Sequence, residues 1–543
     1  MLQVTVSEKT IGSKSLLTDI SLWVSDNEKV GFLGRNGTGK TTLFNIISGK
    51  DIDFNGEVTY SQHESLMATS QEHHDLNGTT IEFVSRRLPD FAKLETIIRT
   101  YPDHMGDDLK KIHTYTDALE KFSERGYYEI ENSLEKLFDA YQLPKSLLTQ
   151  SFTSLSGGQK RLVELIAIQL AAPQIILLDE PTNHMDYLAK DAFIEWLKTV
   201  KSSILVISHD RDVLKNVDRI LELKDRKIYS YPGNYDKYLA QNAVTTTNAV
   251  NEFSTNEKRI ANLKEQIVFA KARAATGGPR WVTLYERYER ELRAILENHE
   301  KPSFWIDRQS ATMLKPKTTE NYEKFRAKNI HLHQTSDTKT ASMLLRVDKL
   351  SLGYNGIPLL RDVSFQLSGG ERLHIVGRNG VGKTTLVKAI IQTWQGTTPD
   401  TLISGGLIDC SRSLAISMYD QEIDPNLLDM TLHNTIEAIY DAKSLPINEE
   451  QIKRDMANYL FNPAADRDVL VRNLSGGQKA RLQLIRLLVG SPNLLILDEP
   501  TNHLDLPSIE ELENALAAYG GAIVYITHDS YFAAHIGGQT LKL

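Results

Sequence analysis

Cysteine is nearly absent from this chain: of 543 residues only Cys410 is one. A lone thiol allows no internal disulfide and no Cys-based zinc or iron–sulfur site, and its ordinary place is as a small buried residue. Long apolar runs are missing too. No stretch of about 18 apolar residues occurs, so no membrane span is expected and the chain cannot itself form a pore. The first residues, MLQVTVSEKTIGSKSLL, lack the basic start and apolar stretch of a signal peptide, which points to the cytoplasm. Nor is there an excess of positive charge. The formal net charge is −8, which argues against a uniformly basic nucleic-acid binder but leaves room for a local basic patch. What remains is an ordinary globular composition, 41% hydrophobic and 24% charged, in a chain long enough for two or three domains.

A long internal repeat organises those domains. GRNGTGKTTL at Gly34–Leu43 returns as GRNGVGKTTL at Gly377–Leu386. LSGGQK at Leu155–Lys160 returns at Leu474–Lys479, LLDEPTNH at Leu177–His184 as ILDEPTNH at Ile496–His503, and SHD at Ser208–Asp210 as THD at Thr527–Asp529. Spacing separates the copies: 85 positions lie between Gln71 and Ser156, but 54 between Gln421 and Ser475. The first copy therefore carries an insertion of about 31 residues within 80–150. The charged helical periodicity of 108–140 predicts a helical protrusion there, a longer surface loop being the alternative. Between the copies, 252–275 and 282–299 read as helices, with stripes at Leu263, Ile267 and Ala270 and at Leu284, Tyr288, Leu292 and Ile295. Gly277, Gly278 and Pro279 mark a turn, so a helical hairpin is expected. The stretch 301–343 reads as a partly extended return path.

The repeated motifs carry phosphate chemistry. Gly34, Arg35, Asn36, Gly37, Thr38, Gly39, Lys40 and Thr41 fit the P-loop pattern, and so do Gly377, Arg378, Asn379, Gly380, Val381, Gly382, Lys383 and Thr384; Thr42 and Thr385 follow. Each motif follows a strand-like run and precedes a helical one. Glycines let backbone N–H groups face phosphates, and the helix start adds positive potential. Lys40 and Lys383 should reach the β/γ-phosphates, and Thr41 and Thr384 should place a hydroxyl on Mg²⁺. Asp179 and Asp498 end apolar runs and should hold Mg²⁺ through water. Glu180 and Glu499 can orient the attacking water, and His209 and His528 can meet the γ-phosphate.

LSGGQ together with a P-loop and an apolar run ending in Asp-Glu resembles the ATP-binding cassette (ABC) superfamily. That resemblance implies an α/β fold: two tandem P-loop ABC-type ATPase domains, at 1–239 and 344–543, joined by a helical-hairpin linker at 240–343. It implies two composite ATP sites formed within one monomer. One pairs Lys40, Gln71, Asp179, Glu180 and His209 with Ser475, Gly476 and Gly477; the other pairs Lys383, Gln421, Asp498, Glu499 and His528 with Ser156, Gly157 and Gly158. Gln71 and Gln421 join the Mg²⁺ sets. The family's adenine-stacking aromatic falls on Tyr354 in the second copy; the equivalent position in the first is Ile11, where stacking would be weaker or supplied by another residue.

The fused pair, with PTNHMD at Pro181–Asp186 and PTNHLD at Pro500–Asp505, looks like the ABC-F subfamily. This implies a ribosome partner near the tRNA exit site, an arm at the insertion, and a role in translation or in antibiotic resistance. The linker segment 256–330 carries 16 Lys and Arg against 10 Asp and Glu. Its tip residues Lys271, Arg273, Arg280 and Trp281 would meet 23S rRNA and tRNA. The alternative is the motor subunit of a membrane transporter, which leaves that linker unexplained. Excision-repair and ribosome-recycling relatives of the superfamily need cysteines that this chain lacks.

Overall fold

The computed structural model describes residues 1–12, 14–60, 65–69, 78–104, 106, 108–183, 185–224, 226–274, 279–297, 342–354, 357–401, 406–419, 423–459, 461–474, 476–502 and 504–543. The chain folds as two units, one drawn from Met1–Tyr235 and Leu332–Leu543, the other from Asp236–His331.

In the first repeat the elements are β1 (Leu2–Ile11), β2 (Lys14–Val24), β3 (Lys29–Gly34), α1 (Lys40–Ile47), β4 (Asn55–Thr59) and β5 (Leu66–Ala68), then α2 (Thr80–Arg87), α3 (Phe91–Thr100), α4 (Leu109–Glu124), α5 (Ile130–Ala140) and α6 (Gly157–Ala171). They continue as β6 (Ile175–Asp179), α7 (Tyr187–Thr199), β7 (Ser203–Ile207), α8 (Arg211–Leu214), β8 (Arg219–Lys224) and β9 (Lys227–Pro232). The main sheet runs β5-β6-β7-β3-β8-β9 and is parallel except for the β8–β9 hairpin. β6 and β7 are buried at every residue, which is why they read as unbroken apolar runs: both faces are covered. A separate antiparallel sheet, β2-β1-β4, alternates along β1 instead. Its Leu2, Val4, Val6, Ile20 and Leu22 pack with Leu43, Phe44 and Ile47 of α1 in one core. The order β6-β7-β3 places three loops side by side: the one after Asp179, the one bearing His209, and the P-loop.

The second unit contains most of α9 (Tyr235–Ala274) and all of α10 (Pro279–Glu297). Arg259 pairs with Glu291, and Phe269 meets Trp281 edge to face. Partners that rise on one helix as they fall on the other make the pair antiparallel. The expected stripes face inward: Leu263 and Ala270 are buried, and Leu284, Tyr288, Leu292 and Ile295 are partly covered. The first helix starts 17 residues earlier than its periodicity predicts. Residues 240–251 are rich in Thr, Asn and Val, weak helix formers that hid its start. Of the expected turn, Pro279 opens α10, while Gly277, Gly278 and the return path as far as 341 lie outside the described residues.

In the second repeat come β10 (Met343–Tyr354), β11 (Ile357–Ser368), β12 (Arg372–Val376), α11 (Lys383–Trp394), β13 (Leu407–Cys410), β14 (Ile416–Tyr419), α12 (Leu432–Ala442), α13 (Glu449–Asn458), α14 (Gly476–Leu488), β15 (Leu494–Asp498), α15 (Leu506–Ala518), β16 (Ala522–Ile526), α16 (Ser530–Ile536) and β17 (Gln539–Lys542). The parallel sheet β14-β15-β16-β12-β17 and the antiparallel sheet β11-β10-β13 restate the first repeat. The insertion can now be located. Thr79 caps α2 and bridges Ser151, 72 positions on; Thr431 caps α12 and bridges Leu470, 39 positions on. The extra length is the α3–α4 pair. Its own core holds Leu94, Ala118 and Phe122 beside Phe91, and Arg125 closes its base on Asp90 at 3.1 Å. Only part of the stretch 108–140 belongs to it: Gly126, at φ 68°, breaks the run, and α5 returns to the shared scaffold.

Candidate functional site

Each P-loop turns from its strand into a helix through glycines that hold left-handed backbone. Gly39 (φ 102°) and Gly382 (φ 111°) are the N-caps of α1 and α11. A Cβ on Gly39 would come within 3.0 Å of Leu16, so size and φ both require glycine. Lys40 Nζ donates to Gly34 O at 2.5 Å and Arg35 O at 3.0 Å. Lys383 does the same to Gly377 O (2.7 Å) and Arg378 O (3.3 Å), and lies 3.2 Å from His528 Nε2. Burial lowers both ammonium pKa values. Thr41 Oγ1 donates to Asp179 Oδ2 at 3.1 Å, and Thr384 to Asp498 at 2.9 Å.

Beyond each aspartate the chain makes a bend that the sequence does not announce. Glu180 and Glu499 sit at φ 46° and 47°, left-handed positions that cost a non-glycine residue about 1–2 kcal/mol. Their N–H groups donate to Ile207 O and Ile526 O at 2.8 and 2.9 Å, which pins the bend to the neighbouring strand. The N–H groups of His209 and His528 donate to Glu180 Oε2 (3.3 Å) and Glu499 Oε2 (3.4 Å). The other carboxyl oxygen of each glutamate, and both ring nitrogens of His209, are buried without a hydrogen-bond partner among the described residues. Burial pushes the Glu180 carboxyl up to about 8 and the Glu499 carboxyl to about 7, against an ordinary 4.5. Burial also lowers His209 to about 3 and His528 to about 4, helped by the nearby lysines, so both imidazoles are neutral at pH 7.

Buried donors and acceptors without partners, beside a buried lysine, suit a polyanion carrying a divalent cation. The Thr–Asp pairs offer hard oxygens, two per site, and a Mg²⁺ that keeps waters and phosphate oxygens needs no more. No cluster of three or more His, Cys, Asp or Glu suited to a metal occurs among the described residues.

A feature absent from the sequence reading joins the two halves. Asn36 N–H donates to Asp505 Oδ2 at 3.0 Å, and Asn379 N–H to Asp186 Oδ2 at 3.1 Å. Each aspartate is 4% exposed and uses Oδ1 to cap its own helix, α15 through Ser508 or α7 through Ala189. Each P-loop is thus tied to a helix cap of the other repeat, and the ties are reciprocal. One cleft of about 1210 Å³ runs along this seam and is lined by residues of both repeats, among them Lys40, Glu180, Ser156, Asn379, Glu499 and His528. Asp186 and Asp505 were visible only as the ends of the PTNHxD signatures, because contacts between repeats leave no local trace.

A family model described as ABC transporter matches residues 17–183 and 360–502, and a second with the same description matches 221–278. The chain is 32% identical over 558 aligned residues to the putative ATP-binding protein YdiF of Bacillus subtilis, covering 100% of this chain and 80% of that one. The chain belongs to the ABC-F subfamily of ATP-binding cassette proteins. Other ABC-F relatives are the ATP-binding protein Uup of Escherichia coli (28% identical; 95% of this chain, 76% of that one) and the energy-dependent translational throttle protein EttA of Mycobacterium tuberculosis (28%; 96% and 88%). Among solved structures, an RNase-L inhibitor matches with TM-score 0.56 at 16% identity, over 99% of this chain and 87% of that one. An archaeal ribosome recycling factor bound to stalk protein aP1 matches with TM-score 0.52 at 17% identity, with the same coverages. At such identities these two establish the fold.

As an ABC-F protein the chain is an ATPase with two cassettes. Its other expected site residues fall as follows. Ser156 caps α6 in a reciprocal box with Gln159, and Gly157 and Gly158 form the first turn. Gly476 opens α14 with Gly477 after it, while Ser475, Gln71 and Gln421 lie outside the described residues. Tyr354 ends β10 at 55% exposure, its hydroxyl 3.5 Å from Thr385 Oγ1. Ile11 ends β1, is 58% exposed and lines the cleft. In the linker, the Arg273 guanidinium lies 5.0 Å from the Phe269 ring and 5.4 Å from that of Trp281; Lys271 and Arg280 are exposed. Among the described residues no helix is long and apolar enough to cross a membrane.

Proposed function

We propose that this ABC-F protein closes its cassettes on two ATP molecules, each held in a composite site, and that the closed form binds the ribosome near the tRNA exit site to modulate translation. Protection from a ribosome-bound antibiotic is another outcome of the same binding. The observation that carries the two-site reading is the reciprocal tie of each P-loop to the other cassette's aspartate. Ser156 and Gly158 line one cleft with residues of both P-loops, Lys40 of the first and Asn379 of the second among them.

In each site the lysine leaves its backbone carbonyls for the β/γ-phosphates. Bound Mg²⁺ would be held by Thr41 and Asp179, or by Thr384 and Asp498, with Gln71 and Gln421 completing the sets, and supplies charge neutralisation between the phosphates. Glu180 and Glu499 hold the attacking water. The neighbouring lysine favours the ionised form of each, the form that can take a proton from that water. His209 and His528, neutral, can each donate one N–H to the γ-phosphate. Once that phosphate leaves, the link between P-loop and facing LSGGQ motif goes with it, and the cassettes part.

Support for the ribosome comes from EttA, whose name makes it a translational throttle, and from the basic, aromatic linker tip. Arg273 beside the Phe269 and Trp281 rings, with exposed Lys271 and Arg280, offers RNA both charge and ring faces. The test is the Glu180→Gln, Glu499→Gln chain, which should bind ATP, fail to hydrolyse it, pellet with ribosomes in ATP but not in ADP, and arrest translation in an extract. Retained ATP binding without ATP-dependent pelleting would overturn the ribosomal reading. Loss of ATP binding would overturn the site.

A further inference from the structure

Lys190 is a buried ammonium that lines the seam cleft and takes no part in the ATP chemistry. It lies on α7, one turn beyond the Asp186 cap that ties this helix to Asn379 of the second P-loop. Its Nζ reaches two carboxylates of the first cassette's His-Asp loop, Asp210 Oδ2 at 2.9 Å and Asp212 Oδ2 at 2.6 Å. Ser530 of the second cassette donates to the same Asp212 oxygen at 2.9 Å. One oxygen thus joins Lys190 of one cassette to Ser530 of the other. Arg211, between the two aspartates, also crosses the seam and donates to Glu513 Oε1 at 3.0 Å.

This contact stands between the loops that hold the two glutamates. Asp210 follows His209, whose N–H donates to Glu180, and Asp210 Oδ1 accepts from Asp212 N–H at 2.9 Å. Ser530 comes two residues after His528, whose N–H donates to Glu499, and Asp529 between them caps α16. Charge runs along the same path. Burial works against the Asp212 carboxylate, yet Lys190 and the Ser530 hydroxyl hold its pKa below the ordinary range. Burial raises the Asp210 pKa against the pull of Lys190, and the charge of Asp529 in the second cassette adds to the rise. The offset of 319 between the repeats matches Asp210 with Asp529, but sets Ile509 against Lys190 and Tyr531 against Asp212. The second cassette therefore brings its aspartate to the seam without a lysine of its own at that position.

We propose that Lys190, Asp212 and Ser530 are positioning residues forming a bridge between the two His-Asp loops, through which the seating of each loop sets how the other cassette's glutamate meets its water. The proposal rests on the two-site reading. Lys190 cannot leave without stranding two carboxylates in the seam, a costly state, and a shift of Ser530 pulls on the oxygen that Lys190 holds. Neither residue belongs to a P-loop or an LSGGQ motif. Loss of the bridge should therefore slow hydrolysis and spare ATP binding.

First-turnover hydrolysis isolates the sites: a Glu180→Gln chain leaves only the Lys383 site able to hydrolyse, and a Glu499→Gln chain only the Lys40 site. Ser530→Ala removes one hydrogen bond and no charge. It should lower the first-turnover rate about three- to tenfold in both chains, including at the Lys40 site of the other cassette. Lys190→Met should slow both sites at least as much, and Lys190→Arg should keep both rates within about twofold of the parent's. Affinity for a fluorescent ATP analogue should stay within about twofold throughout. A rate that falls only at the substituted cassette's own site, or at neither site, would overturn the proposal, as would a loss of affinity equal to the loss of rate. If the thermal midpoint shows Lys190→Met to be unfolded, Ser530→Ala decides alone. Hydrolysis that persists in the Glu180→Gln, Glu499→Gln chain would overturn the two-site reading and the bridge with it.

Discussion

Glu180 and Glu499 combine three unfavourable features: a carboxyl largely withdrawn from water, a left-handed backbone and an oxygen with no hydrogen-bond partner among the described residues. Their raised pKa values set a linkage. Between the ordinary 4.5 and the raised values of about 7 and 8, the folded protein binds protons that the unfolded chain has released. The stability these protons supply is fully present below about pH 4.5 and is lost as pH rises through 7 and 8. Without nucleotide, the melting temperature should fall between pH 5.5 and 8.5, and Glu180→Gln with Glu499→Gln should flatten that fall. Parallel curves for the two chains would show that the glutamates are not held in this way. A second residue-scale expectation concerns the base. Tyr354→Ala should weaken ATP binding at the Lys383 site roughly two- to tenfold, and Ile11→Tyr should tighten the Lys40 site by a similar factor. Titration with a fluorescent ATP analogue reads both, and an unchanged affinity on either side would remove that residue from the adenine contact.

At the scale of elements, the α3–α4 hairpin is an addition to the first cassette rather than part of its frame. Its rings pack mainly on one another, Phe91 with Phe122 and Tyr127, and Pro89 and Arg125 meet at its base. The frame holds itself together below, through the stacked rings of Phe83 and Phe152 and the Thr79–Ser151 bridge. Replacing 91–124 with a short Gly/Ser turn should therefore lower the melting temperature by roughly a few degrees, because the hairpin also covers Leu170 and Ala171, and should keep ribosome-free ATPase activity within about twofold. Loss of folding or of basal hydrolysis would show that the hairpin is structural. Elements of this kind differ in how far the sequence exposes them. The P-loops, β6 and β15 were legible because their chemistry and their apolar runs are local. The insertion was countable, but its borders were not: α5 shares the periodicity of α4, and only Gly126 divides them. The start of α9 was obscured by Thr- and Asn-rich sequence, and its helix stands on pairing with α10 that no local propensity reports. The antiparallel sheets beside each P-loop also passed unseen, since their strands pair across long intervals.

Across the whole molecule, contacts run between the repeats: Asn36 with Asp505, Asn379 with Asp186, and Arg211 with Glu513. Each joins residues nearly 200 or more positions apart, so the repeat could be read from the sequence while the seam could not. The first two ties obey the repeat's symmetry, and the third breaks it. A chain built this way holds its cassettes in register at both P-loops, the register on which the proposed nucleotide-driven closure would act. The central claim, that ATP closes one cassette on the other and its hydrolysis opens them, is tested most directly by distance. In a chain whose lone Cys410 is replaced by serine, nitroxide pairs on exposed residues either side of each P-loop–aspartate tie would be measured by pulsed electron resonance. In the Glu180→Gln, Glu499→Gln background with ATP, both pairs should give short, narrow distributions; with ADP, both should lengthen and broaden. Distances that are the same in ATP and ADP would contradict the account.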